Sequence, residues 1–212
     1  MTMHWILAQF IEDIELTGHI PTDASVFLAY HDCLETHEHC KRVAAEARQL
    51  AVRFGVDESL AEAAGWLHDI SAVFRPGQRC EVAQQLSLEI LPEERTFPAI
   101  LHQKLSRVMA KEIFGITDES VLSAIECHTT LRADASALGK IVFIADKIQW
   151  GQAHQQPFLR DVQDALDRSL DEAVFCYIDY LWQRRHTLSV IHPWLAAAYR
   201  QLSAMRTLQN KK

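Results

Sequence analysis

The chain has 212 residues, 49% of them hydrophobic and 23% charged, with a net charge of -7. That balance excludes a largely disordered protein and is enough for one large domain with a buried core. It also excludes the broad basic face that nonspecific DNA or RNA binding needs, so no nucleic-acid partner is expected, and a phosphorylated ligand must meet local cations or metal.

In chain order, the first 34 residues read as a helical extension packed on the core. Val43, Ala47, Leu50, Ala51 and Phe54 recur at helical spacing, and Gly55 stands where a helix C-terminal cap belongs. Asp57 caps the next helix, whose apolar face (Leu60, Ala63, Ala64, Leu67) carries His68 and Asp69 to its far end. Arg75-Pro76-Gly77 forces a turn. A helix is then expected from Cys80 to Leu91, stopping before Pro92, with a polar, exposed loop through Pro98 to Ile100-Leu101-His102.

Leu105, Val108, Met109 and Ile113 give another helix ended by Gly115, and Thr117 or Asp118 caps the one running to Cys127 and His128. Leu138, Ile141, Val142, Ala145 and Ile148 form an apolar helix in which Asp146 is the only acidic residue between Ser136 and Trp150. A carboxylate in such a setting needs a partner. One long amphipathic helix is expected over 158–185, and a last one from Pro193 in the first-turn position. With no alternating run to call a strand, the fold class is all-α: a single-domain helical bundle with a core over 35–150, completed by C-terminal helices over 151–212.

The five cysteines include no CxxC pair, which argues against a disulfide framework or zinc ribbon and fits a reducing cytoplasm. Met1-Thr2-Met3-His4-Trp5 lacks a basic region and an apolar core behind it, so no targeting signal and no membrane partner are expected. The five tryptophans and the Tyr177, Tyr180 and Trp182 cluster read as core or as a dimer surface and not as a stacking platform for bases, which leaves a homodimer open.

The most informative feature is Trp66-Leu67-His68-Asp69. Adjacent helical residues point about 100° apart, so His68 and Asp69 can share one metal only where the helix ends and the backbone opens. Their company is His39 upstream and His102, His128 and Asp146 downstream, a nitrogen and oxygen donor set suited to iron, manganese or a similar divalent ion. In this reading His39, His68, Asp69 and Asp146 bind a first metal, and Asp69 reaches across to a second held by His102 and His128. Such a pair activates a water and stabilises both oxygens of an in-line phosphoryl displacement, with His68 and Asp69 as the catalytic pair and no protein nucleophile. Arg132 and Lys140 are the candidate phosphate cations, with Thr129 and Thr130 as hydroxyl donors and Arg75 as a further cation near the doublet. His37 is read as a neighbour of the set, while His4, His19, His31, His154, His186 and His192 are expected to face solvent.

An isolated His, a His-Asp doublet and a distal Asp resemble the HD superfamily of metal-dependent phosphohydrolases. Within it, His39 with Val43 and Ala47, Leu67-His68-Asp69, the His102 segment, His128-Thr129-Thr130 with Arg132, and Lys140-Ile141-Val142 with Ala145-Asp146 resemble the YqeK family of symmetrical bis(5′-nucleosyl)-tetraphosphatases. That resemblance implies a helical HD-domain fold, a nucleotide substrate, and cleavage of diadenosine tetraphosphate to two ADP. It implies iron, with manganese, cobalt, magnesium or nickel as alternatives, as one or two ions. The chain departs from the family pattern outside the ligands. No lysine follows the doublet in His68-Asp69-Ile70-Ser71-Ala72, Leu131 stands before Arg132 where the family has glycine, and Gln149-Trp150-Gly151-Gln152 replaces Glu-Pro-x-Arg. The alternatives carried forward are a phosphohydrolase for another phosphoester, such as a nucleoside monophosphate, and a catalytically weakened nucleotide-binding protein.

Overall fold

Apolar residues spaced by three and four leave this chain no economical state but helix, and a computed structural model describes residues 3–209 in that form. The described residues contain twelve α-helices and no strand. In order these are α1 (Trp5–Ala8), α2 (Ile20–Tyr30), α3 (Leu34–Phe54), α4 (Glu58–Leu67), α5 (Arg79–Gln85) and α6 (Pro92–Thr96). The second half holds α7 (His102–Glu112), α8 (Glu119–Cys127), α9 (Ala137–Ala153), α10 (Leu159–Leu166), α11 (Leu170–Gln183) and α12 (Pro193–Gln209). No helix among the described residues is long and apolar enough to cross a membrane.

Local signals set most boundaries. Gly55 ends α3 with φ 70°, a left-handed turn that glycine adopts without strain. Asp57 caps α4 by accepting from the Ser59 and Leu60 amides, and Asp118 caps α8 in the same way through Ser120 and Val121.

Three expected elements differ. The helix expected from Cys80 to Leu91 stops at Gln85, because Ser87 takes a left-handed φ of 55° and the Leu88 amide bonds back to the Ala83 carbonyl. Pro92 then starts a helix instead of ending one, as its missing N–H costs nothing in a first turn. The segment leading to His102 is therefore not an exposed polar loop: it holds α6 and a 3-10 turn over Pro98–Leu101, with Glu94, Ile100 and Leu101 buried. The long helix expected over 158–185 is two, broken where the Ser169 hydroxyl caps α11 by accepting from the Glu172 amide.

The centre is built by α3, α4, α8 and α9, packed around Val43, Ala47, Leu67, Leu122, Ile125 and Phe143. Helix α4 lies unusually close to α3: a methyl group at Gly65 would stand 2.6 Å from the Ala44 Cα, so only glycine permits this approach. Helix α2 covers one side of this core, and α10 to α12 cover another, joined to α9 through Phe143, Phe158 and Tyr177. Tyr177 is buried core; Trp182 stacks on Tyr199 at 4.4 Å between centroids, within the chain. All five cysteines are free thiols, Cys40 and Cys127 buried.

Candidate metal centre

Four of the six predicted ligands, His68, Asp69, His102 and His128, sit at helix ends for a common reason: a helix terminus releases the backbone and turns side chains toward one point. His68 is the C-cap of α4, and Asp69 comes next at φ -112°, ψ 19°, outside helical geometry, so adjacent side chains face one centre. His102 opens α7, and His128 is the C-cap of α8. His39 faces inward from α3, and Asp146 from the middle of α9. All six side chains converge.

Asp69 stands between two groups of imidazoles. Its Oδ2 lies 3.4 Å from His68 Nε2 and 4.0 Å from His39 Nε2. Its Oδ1 lies 3.3 Å from His102 Nε2 and 3.5 Å from His128 Nε2. Asp146 Oδ1 completes the first group, 3.1 Å from His39 Nε2 and 3.9 Å from His68 Nε2.

A repeated backbone contact fixes which nitrogens point inward. His68, His102 and His128 each place Nδ1 against the carbonyl three residues earlier: Gly65 at 2.8 Å, Ala99 at 2.6 Å and Ile125 at 2.7 Å. A carbonyl only accepts, so each Nδ1 carries a hydrogen and a neutral ring aims a bare Nε2 lone pair at the centre. His102 Nε2 and His128 Nε2 are nevertheless 2.9 Å apart. The Thr129 hydroxyl, 2.9 Å and 3.0 Å from the two nitrogens, has one hydrogen for both. Acceptors packed this closely call for a cation, and imidazole with carboxylate is the donor set a divalent transition metal takes. The residues therefore fit the metal.

The electrostatics agree. Burial opposes ionisation of Asp69, yet the facing His68 and His102 hold its carboxyl well below the usual carboxylate range. Burial likewise opposes charge on Asp146, and the Lys147 ammonium, 2.5 Å from its Oδ2, outweighs it and holds the carboxyl low. Burial pushes His102 down to about 4 and lowers His128. His68 goes the other way: burial disfavours its charge, but Asp69 raises it well above the ordinary histidine value.

Two cavities flank Asp69. The larger, about 500 Å³, is walled by His39, Asp146, Lys147 and Trp150, and the smaller, about 300 Å³, by Ala72, Arg79 and Phe97. Thr36, Asp69, His102 and Thr129 border both.

Of the five residues expected to meet substrate, only Thr129 lines either cavity. Thr130 is buried against Gln103. Arg132 bonds to Glu126 at 3.0 Å and lies over the Trp194 ring, and Lys140 bonds to Asp171 at 2.7 Å. Arg75 borders a separate depression beside Trp5 and Phe10. The cations beside the cluster are instead Lys147, Arg79 and Arg42. Lys147 was hidden by adjacency to Asp146, since neighbours on a helix ordinarily diverge. Arg79 carries no local sequence signal; its Nη1 donates to the Ala99 carbonyl at 2.8 Å, the same carbonyl that orients His102.

The remaining histidines are mixed. His37 bonds to Ser25 Oγ at 2.8 Å, away from the cluster, while His19, His154 and His186 are exposed. His192, expected at the surface, is buried against Glu94, His31 reaches the Phe10 carbonyl, and His4 caps α1.

A family model described as the HD domain matches residues 36–151. The chain is 43% identical over 168 residues to a Lactococcus lactis subsp. cremoris protein described only as uncharacterized, covering 79% of this chain and 85% of that one. It is 33% identical to the symmetrical bis(5'-nucleosyl)-tetraphosphatase of Staphylococcus aureus, covering 66% of this chain and 71% of that one. The enzyme of the same description from Halalkalibacterium halodurans is 31% identical, with 78% and 88% covered. Among solved structures, a predicted HD superfamily hydrolase involved in NAD metabolism from Clostridium acetobutylicum superposes with a TM-score of 0.80 at 27% identity, covering 87% of this chain and 97% of that one. With more than half its length matched by the family model, the chain belongs to the HD-domain family and is a metal-dependent phosphohydrolase.

Proposed function

We propose that this protein hydrolyses dinucleoside polyphosphates, with diadenosine tetraphosphate cleaved symmetrically to two ADP, and that it uses two divalent ions, iron foremost. The observation that carries the reading is the placement of Asp69, with each carboxylate oxygen facing its own pair of imidazoles. His39, His68 and Asp146 would hold one ion, His102 and His128 the other, and Asp69 both. Four imidazoles with two carboxylates favour iron, manganese, cobalt or nickel over magnesium. When bound, the ions supply Lewis-acid charge to a phosphoryl oxygen and acidify a water.

The chain's own residues do the rest. Lys147, tied to Asp146 and bordering the larger cavity, brings a buried ammonium to phosphate oxygens without an entropic search. Arg79 brings a second cation to the smaller cavity, so polyphosphate lying across Asp69 meets positive charge on both sides in a chain that is acidic overall. The Thr129 hydroxyl lies between the cavities, where it can donate to a phosphate oxygen. A symmetric cut results from a reacting phosphorus held at Asp69 with an arm in each cavity.

The test is product analysis on metal-reconstituted protein. ADP as the sole nucleotide product of diadenosine tetraphosphate is expected. ATP with AMP, or turnover of nucleoside monophosphates alone, contradicts the reading, and tight nucleotide binding without product turns the protein into a binder.

A further inference from the structure

We propose that Trp150 is the nucleobase platform of the larger cavity and makes this site prefer base-bearing phosphates over bare ones; the inference rests on the site being a nucleotide site. Trp150 lies one helical turn beyond Asp146 on α9 and borders the same cavity as His39, Asp146 and Lys147. It is 40% exposed, an unusual state for an indole beside a catalytic cluster.

The ring is also braced. The His154 imidazole stacks on it with centroids 4.7 Å apart and an angle of 28°, and the Phe158 ring lies parallel within 2° at 6.3 Å. His154 is fixed in turn, since its Nδ1 donates to the Trp150 carbonyl at 2.8 Å. An aromatic surface held still, open to solvent and reachable from the phosphate-binding cations, has the properties a base-stacking platform needs. The same cavity is bordered from α3 by Glu35 and Thr36, which offer polar atoms to a base edge or ribose. A cavity of about 500 Å³ falls within the ordinary range for a small-molecule site.

Trp150 has no metal-ligating atom to offer the cluster, so it is a specificity residue and not a catalytic one. The smaller cavity has a half-exposed Phe97 at its edge but no braced indole, which makes the two arms of a symmetric substrate unequal in grip.

The test is calorimetric binding to metal-loaded protein, using ADP and its base-free analogue methylenediphosphonate. Wild type should bind ADP more tightly than methylenediphosphonate. Trp150→Ala should weaken ADP by about tenfold or more, in line with the loss of one stacked base, and leave methylenediphosphonate unchanged. Trp150→Phe, which keeps a ring, should retain most of the ADP affinity and reports on folding as well as stacking. In turnover, Trp150→Ala should raise KM for diadenosine tetraphosphate more than it lowers kcat. Equal ADP binding by wild type and Trp150→Ala overturns the platform while leaving the phosphohydrolase intact. Binding of neither probe by wild type overturns the nucleotide site and the platform together.

Discussion

Among the described residues, two of the clusters of buried polar groups are built on opposite principles. In the first, Glu94 accepts from Lys104 Nζ at 2.8 Å, from the Leu91 amide at 2.8 Å, and from His192 Nε2 at 3.4 Å. His192 Nδ1 accepts from the Trp194 amide, and Lys104 also donates to the Glu89 carbonyl. Each buried polar side-chain atom of this cluster has a partner and the Lys104 and Glu94 charges cancel, so the cluster is complete as it stands. In the second, around Asp69, lone pairs face lone pairs: His102 against His128 at 2.9 Å, with Asp69 beside both. A satisfied network ties α6 to α7 and to the residue before α12; an unsatisfied one waits for cations. The difference separates structure from chemistry without any appeal to relatives.

The comparison breaks if the clusters do not respond differently to substitution. The largest effect is expected from Asp69→Ala. Residues one step removed from a metal cost 10- to 100-fold, so loss of the carboxylate between both groups should lower activity by well over about 100-fold. Bound metal should fall with it. Retained metal and activity would show that Asp69 does not bridge.

Glu94→Ala should do the reverse. It strands the buried Lys104 ammonium, at a cost of about 3–5 kcal/mol, which for a chain of this size lowers Tm by roughly 10 °C. Metal content of the folded fraction should hold. A thermal melt with elemental analysis on the same sample checks both.

Arg79→Ala sharpens the picture within the metal centre. The Ala99 carbonyl, which also accepts from His102 Nδ1, loses the donor that holds it in place and His102 is less firmly oriented, so affinity on the His102 and His128 side should fall by up to about 10- to 100-fold. Metal titration should then resolve one site unchanged and one weakened; equal weakening of both would contradict the division.

The smallest effect concerns protons. His68 is raised in the metal-free protein, so its charge stabilises that state at acid pH and the contribution is lost as pH rises through the raised value. His102, lowered to about 4, works in the opposite sense: its neutral form adds stability above about 6.5 that is lost as pH falls toward 4. Metal displaces the His68 proton, so binding near neutral pH should release about one proton and affinity should rise with pH. Calorimetry in buffers of different ionisation enthalpy measures this. Affinity independent of pH would remove the proton from the account.

Capping made much of the fold readable in advance, because Gly55, Asp57, Asp118 and Gly115 act within one turn of themselves. The break before α11 carried the same kind of signal in Ser169 and Glu172, but continuous amphipathic spacing masked it. Pro92 was ambiguous in principle, since proline both ends and begins helices. The convergence of the six side chains proposed as ligands was legible because histidine and aspartate on otherwise apolar helices are costly without a purpose. The cations around them were not. Arg132 and Lys140 are spent on Glu126 and Asp171, while Lys147 and Arg79 reach the cleft through tertiary packing that no local pattern encodes. Gly65 belongs with these: its role lies in the backbone of another helix.

Anomalous diffraction from crystals grown with iron or manganese tests the central claim most directly. Two peaks are predicted on either side of Asp69, one shared with His39, His68 and Asp146 and the other with His102 and His128. Crystals soaked in metal yet showing no peak within reach of Asp69 would contradict it.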